Sequence, residues 1–472
     1  MRMLNRFKLA ILALATIVPI ACQAQNSWMF TSLVPLTGTN GSGPYGELAL
    51  GSDSLLYGTT TSGGAFGLGT VYNVTLGGAL TTLCSFNGTN GSYPAFAPVL
   101  AGSSNCYGIT ANGGNGFDGN PYTGQGTIYQ LSSIGVLTTL FAFSRTNGSE
   151  PCSLILGSDG NLYGTTAAGG ANTNDPNNNF AGDGTAFEIT TNGQFTLLAS
   201  FDGTNGEEPR ALLQGNDGNF YGVTAQGGAY GYGTVFQMTT NGQVATLASF
   251  AGTNGVAPIN LIQGSDGALY GTTLYGGNEF NSTATPPAIN GDGSVFRITT
   301  NGNLISLASF TDVTGATPIG RLLEVTNGVF LGTTMSEGPS RTGAANGTVY
   351  QITTNGQLTV LATAIYTAFH PEGGLAKAPD GNFYGPYGSG VFAVRPTQAP
   401  VLQASFQGGQ ISLSWNAWAG YQYAVMCTTN LTRSNWGPVQ GVNPSTNGMT
   451  SISDSIGSDP QRFYTVIMTL SP

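Results

Sequence analysis

Only one histidine and twelve Lys and Arg residues are spread over 472 positions, and this scarcity removes several functions at once. A chain so poor in cations has no electrostatic footprint for nucleic acid or for anionic lipid. It also shows no Ser-His-Asp order, no His-Glu-x-x-His pair and no phosphate loop. Charged residues make up 7% of the chain, far below the rough quarter of ordinary globular proteins. Gly, Asn, Thr and Ser must therefore supply most of the polar surface. Low charge with abundant glycine is compatible with disorder, but 40% hydrophobic content and regular strand-like runs argue for a packed core.

Long apolar runs are also scarce. The one at Leu9–Ile20 follows Arg2, Arg6 and Lys8 and precedes the small residues Ala21–Ala24. That order reads as a secretory leader, residues 1–24, and the run is too short for a membrane span. Cleavage is expected after Ala24. Cys22 raises a lipoprotein reading as well, against which stands Pro19, where a lipobox usually has leucine. The expectation is an exported chain, extracellular or at the cell surface, monomeric and without a transmembrane segment once mature.

What is present in quantity is repetition. Tyr57-Gly58-Thr59-Thr60 with Gly69-Thr70-Val71-Tyr72 returns as Tyr107-Gly108 with Gly126-Thr127-Ile128-Tyr129. The anchor recurs at Tyr163, Tyr221 and Tyr270 and degenerates at Phe330 and Tyr384, seven copies with a mean spacing of about 54 residues. A glycine-punctuated period of that size predicts β-propeller blades rather than a helical solenoid. The fourth copy shows the unit: Pro209–Gln214, Phe220–Thr224, Thr234–Thr239 and Val244–Phe250 are strand-like runs separated by Asp-Gly, Gly-Gly and Asn-Gly segments. Each unit should be a four-stranded antiparallel meander that needs neighbours to bury its faces. Cys106 takes the slot of Leu56, Leu162, Phe220 and Leu269, and Cys84 that of Ala199 and Ala248, so both read as small buried hydrophobes. With Cys152 and Cys427 they show no disulfide framework and no zinc spacing.

The two ends of the array are out of phase. The last copy stops at Gly390–Val394, while an extra strand-like run, Trp28–Leu36, precedes the first. The expectation is an all-β, seven-bladed propeller over residues 25–396, closed by the N-terminal strand pairing beside 390–395, since closure removes two exposed edges. Past Pro396 the pattern changes. Ile411–Trp415, Gln422–Met426, Val439 and Phe463–Val466 alternate like half-buried strands, and Trp436 belongs with them, so residues 397–472 read as a small fibronectin- or Ig-like β-sandwich.

The Asp-Gly-Asn-Leu-Tyr-Gly-Thr-Thr core resembles the tandem repeats of GloVer-type proteins across residues 26–395. The resemblance implies an exported bacterial protein, often with a C-terminal anchoring or sorting module. This chain departs from anchored members in lacking a terminal hydrophobic helix with a basic cluster. Ser414-Trp415, Thr428-Thr429-Asn430-Leu431 and Phe463-Tyr464 are instead similar to fibronectin-like end domains. The resemblance implies no enzymatic activity and supplies no catalytic residues.

A site is best sought on the face that holds the loops between second and third strands. These loops vary in length, Asn115–Gln125, Ala171–Asp183 and Asn278–Asp292 being the long ones, whereas the opposite turns are uniform. The same face receives the crossings between units, where Gly43, Tyr93, Glu150, Glu208, Ala257, Thr317 and His370 each precede a proline. Tyr93, Glu150, Glu208 and His370 should then converge at the channel mouth, either as solvated loop residues or as a polar pocket. Tyr230, Tyr232, Tyr275 and Phe280 are loop aromatics that either stack on sugar rings or pack on their own loops. The repeated Asp159, Asp217, Asp266 and Asp380 sit where an Asp-Gly turn needs them, so no metal set is read there. Asp175, Asn177, Asn178 and Asp183 offer oxygen ligands for calcium without EF-hand spacing, and no cofactor is expected. Binding or scaffolding, of glycans or proteins, is the favoured function. The alternative is a glycosidase or lyase using Glu150 and Glu208 as paired carboxylates.

Overall fold

The computed structural model describes residues 28–395 apart from 103–104, 172–181, 282–290, 312, 337–346 and 364–369, together with six strands between 403 and 470. Residues 1–27, where a leader is expected, and residues 397–402 lie outside the described residues. In the fourth repeat, Glu207–Gln214, Phe220–Gln226, Thr234–Met238 and Val244–Ser249 are hydrogen-bonded in that order as an antiparallel meander. Its hairpins turn at Gly218 and Gly242, with φ of +83° and +85°, a region that only glycine enters freely.

Among the described residues of this unit there are seven such sheets and no helix, an all-β, propeller-like arrangement. The first sheet has its innermost strand broken into Ser42–Pro44 and Ala49–Leu50. The seventh is made of Ala376–Lys377, Phe383–Tyr387, Gly390–Pro396 and the N-terminal strand Trp28–Pro35, which pairs with Gly390–Pro396. Trp28 lies 5.3 Å from Phe383 and Phe30 5.1 Å from Phe392, ring centre to ring centre. The Leu36 amide donates to the Ser389 carbonyl at 2.8 Å. The strand expected to complete the last sheet does so.

Second and third strands are almost wholly buried, while the fourth strand of each sheet is half in water. The apolar side chains pair off between sheets. Val71 and Phe86 of the first pack with Cys106 and Tyr129 of the second; Tyr221 and Val235 of the fourth pack with Leu269 and Phe296 of the fifth. The series ends with Phe383 and Phe392 against Leu331 and Val349 of the sixth, and with Tyr384 and Val391 against Leu56 and Tyr72 of the first. Polar latches add to this on the opposite face. The amides of Ser158, Asn216 and Ser265 donate to Gln214, Gln263 and Glu324 of the next sheet at 2.8–2.9 Å.

One hydroxyl pair recurs in the core of six sheets. Thr60–Thr70, Thr110–Thr127, Thr166–Thr185, Thr224–Thr234, Thr273–Ser294 and Thr334–Thr348 face each other across second and third strands at 2.8–2.9 Å. Each third-strand hydroxyl also reaches a carbonyl of the incoming crossing, as Thr234 does to Asn205 at 3.3 Å. A Cβ on Gly206 would collide with Thr224, so the crossing can come this close only as glycine. The repeated Asp-Gly turns hold a second network. Tyr163, Tyr221, Tyr270 and Tyr384 donate to Asp159, Asp217, Asp266 and Asp380 at 2.6–2.8 Å. Burial pushes the Asp217 carboxyl upward, but the bonds from Asn219 and Tyr221 outweigh it and hold the group below its usual range. These aspartates are structural.

The C-terminal unit holds two three-stranded sheets. One orders Gln403–Gln407, Gln410–Ala417 and Gly448–Ser455; the other orders Gly437–Val442, Tyr421–Thr428 and Phe463–Leu470. Two of these strands, Gln403–Gln407 and Gly448–Ser455, were not foreseen, and Trp436 lies outside the described residues. Leu413, Trp415, Val425 and Ile452 are buried, and Tyr464 donates to Asp454 of the other sheet at 2.8 Å. The four cysteines are unpaired. Cys106 is buried as expected, whereas Cys84 is only half-buried beside it.

Deleting residues 28–36 should leave no cooperative unfolding transition by calorimetry, because it bares the edge of Gly390–Pro396 and uncovers Phe383 and Phe392. Thr234→Val should cost about 1–3 kcal/mol in denaturant unfolding, the penalty for stranding the Asn205 carbonyl and losing the hydroxyl pair, while Thr224 keeps its bonds to Gln226 O and to the residue 234 amide.

Candidate functional site

At one end of each sheet the crossing from the previous unit is bound to the loop between second and third strands. In the fourth unit the Gly228 amide donates to Gly203 O at 2.8 Å. The amides of five pre-proline residues are held from the preceding unit: Tyr93 by Leu68 O, Glu150 by Gln125 O, Glu208 by Asp183 O, Ala257 by Tyr232 O and Thr317 by Asp292 O, at 3.1–3.2 Å. The prolines wedge against glycines of that unit, Pro258 against Gly233 and Pro371 against Gly347, which puts His370 in the same register. Thus held, Tyr93, Glu150, Glu208, Ala257 and Thr317 all take φ between +53° and +57°, and Gly43 takes +62°. Left-handed backbone costs an L-residue roughly 1–2 kcal/mol. Because Ala257 carries the same strain as the glutamates, the conformation belongs to the architecture and not to a reaction.

What varies is the side chain. Glu208 is engaged through both oxygens, by Arg210 at 2.7 Å and by Gln226 at 3.0 Å. The Glu150 side chain, in the neighbouring sheet, has no hydrogen bond or ion pair among the described residues. Burial raises its pKa above the usual carboxyl range; Arg210 opposes that shift and the charge of Glu208 reinforces it. His370 lies 3.2 Å from Glu372, which favours the charged imidazole and raises its pKa. Glu47 faces Arg321 at 3.9 Å.

Tyr45 ties these groups together. Lost hydration raises its hydroxyl pKa, and the fields of Tyr93, Glu372, Arg210 and Tyr275 all act on it. Those four residues come from the second, seventh, fourth and fifth sheets, and 41% of the Tyr45 surface stays open to water. Tyr93 in turn feels Glu372 and sits 6.1 Å from the ring of Tyr122. Of the residues expected here, Tyr93 and Tyr275 act on Tyr45, Glu150 feels Arg210 and Glu208, and His370 sits beside Glu372. Tyr232 and Phe280, on the loops of the fourth and fifth units, pack edge to face at 5.3 Å, with Phe280 lying over Gly252, so they tie neighbouring loops together. Tyr230 stands on the rim, 62% exposed.

Tyr45, Arg210 and Glu372 were not singled out from sequence. All three lie two residues beyond the pre-proline position, so the same strand alternation carried to the next inward residue would have found them. The loop with Asp175, Asn177 and Asn178 lies outside the described residues. Among the described residues no group of three His, Cys, Asp or Glu side chains is placed to hold a metal.

The model of the Gloeobacter/Verrucomicrobia repeat matches residues 16–177 and 175–393, most of the chain. The protein belongs to that repeat family. No curated protein matches its sequence. Among solved structures, streptogramin B lyase is similar with a TM-score of 0.55 at 16% identity, over 79% of this chain and 100% of that one. The extracellular domain of the hybrid two component system BT4673 from B. thetaiotaomicron is similar with a TM-score of 0.50 at 12% identity, over 94% of this chain and 59% of that one. At such identities the likeness is one of fold.

In this Gloeobacter/Verrucomicrobia repeat protein, the pre-proline slot is therefore a constant backbone with exchangeable contents. Ala257→Gly should raise stability by about 0.5 kcal/mol in urea unfolding, the relief of left-handed strain exceeding the added chain entropy.

Proposed function

We propose that this is an exported binding protein: a seven-bladed propeller whose ligand site is the channel mouth formed by the crossings, followed by a fibronectin-like spacer or attachment domain. The charged and apolar segments of residues 1–24 support export. The apolar clusters that join each sheet to the next, and the seventh to the first, support a closed ring of seven blades. The two small sheets with buried Trp415 and Val425 support a sandwich at the C-terminus. The fold is one that an extracellular domain also uses. The observation that carries the reading is the shared register of Tyr45, Arg210 and Glu372, each two residues past a pre-proline position: Arg210 holds Glu208 at 2.7 Å, Glu372 lies 3.2 Å from His370, and the fields of both act on the partly exposed Tyr45. Sequence-distant polar and aromatic groups focused at one wet mouth form a polar ligand site, and a glycan suits it.

A second reading rests on Glu150 and Glu208. Their environments differ: burial raises the pKa of Glu150, while Glu208 is bonded to Arg210, the kind of contrast that separates two carboxyl roles in glycoside hydrolysis. Binding is preferred because the exposed loop aromatics and the shared register of Tyr45, Arg210 and Glu372 support it, whereas the enzyme reading rests on that contrast alone. A glycan panel read for both retention and new reducing ends separates the two. Retention without products, weakened about tenfold by Tyr45→Ala, is expected. Products that vanish in Glu150→Gln would install the enzyme instead, and retention indifferent to both substitutions would move the site elsewhere.

A further inference from the structure

We infer that the ligand of this mouth is an amine-bearing polysaccharide, its protonated amino groups seated among the carboxylates and phenols and its sugar faces lying on the exposed aromatics of the rim. The inference rests on the binding reading above and narrows it to one chemical class.

Charge decides against an anionic ligand. Arg210, the guanidinium closest to the glutamate pair, is already bonded to Glu208 at 2.7 Å, and Arg321 faces Glu47 at 3.9 Å. A uronate, sulfate or phosphate would have to take a cation away from its carboxylate in a site that carries more acids than bases. A neutral sugar would leave Glu150 as it is, half-buried and without a partner among the described residues. A protonated amine supplies a counter-charge for the Glu150 carboxylate and three donors, and it leaves the Arg210–Glu208 pair intact.

The rings point the same way. Tyr45, Tyr93 and Tyr275 bring three phenols to the mouth, and the negative face of a phenol attracts an ammonium group. A metal ion would be met by clustered oxygen ligands, and no such group of three exists among the described residues. Independently of the acids, Phe66, Tyr122 and Tyr230 stand 61%, 68% and 62% exposed on loops of the first, second and fourth units, on this same face. Large rings left in water at loop tips mark a binding surface, and their spread over three units calls for a ligand longer than one sugar. The occupant must then be extended, hydroxylated and cationic. An oligosaccharide of glucosamine units with free amines has those properties, and the same oligosaccharide with N-acetyl groups differs only in charge and a small acyl cap.

Calorimetric titration of the full chain with glucosamine hexamer and with its fully N-acetylated counterpart tests this, at a pH where the free amines are protonated. The free-amine hexamer should bind at least about tenfold tighter, and Glu150→Gln should erase that preference without weakening the acetylated form. Asp159→Asn removes the same charge from a turn on the opposite face and should leave affinity within about twofold. Equal losses in Glu150→Gln and Asp159→Asn would reveal unspecific attraction to an acidic protein and overturn the inference. Equal or tighter binding of the acetylated hexamer, still sensitive to Tyr45→Ala, overturns the amine and keeps the mouth as the site. Failure of every glycan to bind overturns both.

Discussion

A hydroxyl buried between two strands must find a partner, and in this chain it finds two. Six repeats place a Thr–Thr or Thr–Ser pair in the fully buried layer, where an unbonded hydroxyl would cost several kcal/mol. The pair bonds internally and then reaches out to the crossing, as Thr127 does to the Asn90 carbonyl at 3.1 Å. That bond draws the crossing against the strands so closely that only glycine fits beside the threonine. The recurring Thr-Thr, Gly-Thr and Thr-Asn-Gly segments are thus three sides of one contact. The seventh sheet departs from the rule, with Tyr387 and Gly390 in the two threonine slots. There the Tyr387 hydroxyl lies 2.9 Å from Ser32, on the N-terminal strand that completes the sheet. Where the hydroxyl pair is lost, the closing strand takes over its partner.

The candidate site follows from that contact. With the crossing pinned, six residues before prolines, Gly43, Tyr93, Glu150, Glu208, Ala257 and Thr317, share one left-handed conformation, whichever side chain they bear. Glycine, tyrosine, glutamate, alanine and threonine thus occupy equivalent places in successive sheets. The scaffold bears the strain everywhere, so the chemistry can change locally without renegotiating the fold. Glu150 and Glu208 illustrate this: the same slot in adjacent sheets holds one carboxylate fastened by Arg210 and Gln226 and another that lacks a partner among the described residues.

Much of this was readable along the chain because it is local. Asp-Gly and Asn-Gly turns mark hairpins through glycine's positive φ, and alternation marks the strands between them, so the fourth unit was bounded to within two or three residues of its observed strands. The out-of-phase ends were enough to expect the N-terminal strand beside Gly390–Pro396, since an unpaired edge is what both ends would otherwise expose. The weaker C-terminal pattern was read less completely. Gln403–Gln407 and Gly448–Ser455 carry few large apolar residues and so gave little alternation to notice.

Sequence alone determined the repeat, its strands, the face that carries variable loops and the pre-proline positions, because each depends on residues near one another in the chain. Tertiary structure decided which of those positions meet and what they meet. The pairing of Glu208 with Arg210, the isolation of Glu150, the fields that act on Tyr45 from groups in four other sheets and the packing of Phe280 on Tyr232 depend on distances between side chains. Those distances are set by how sheets stack, through apolar contacts such as Tyr221 against Phe296 that carry no signature in the order of residues. Electrostatics follows distance, so the charge character of the site came into view only once the sheets were assembled.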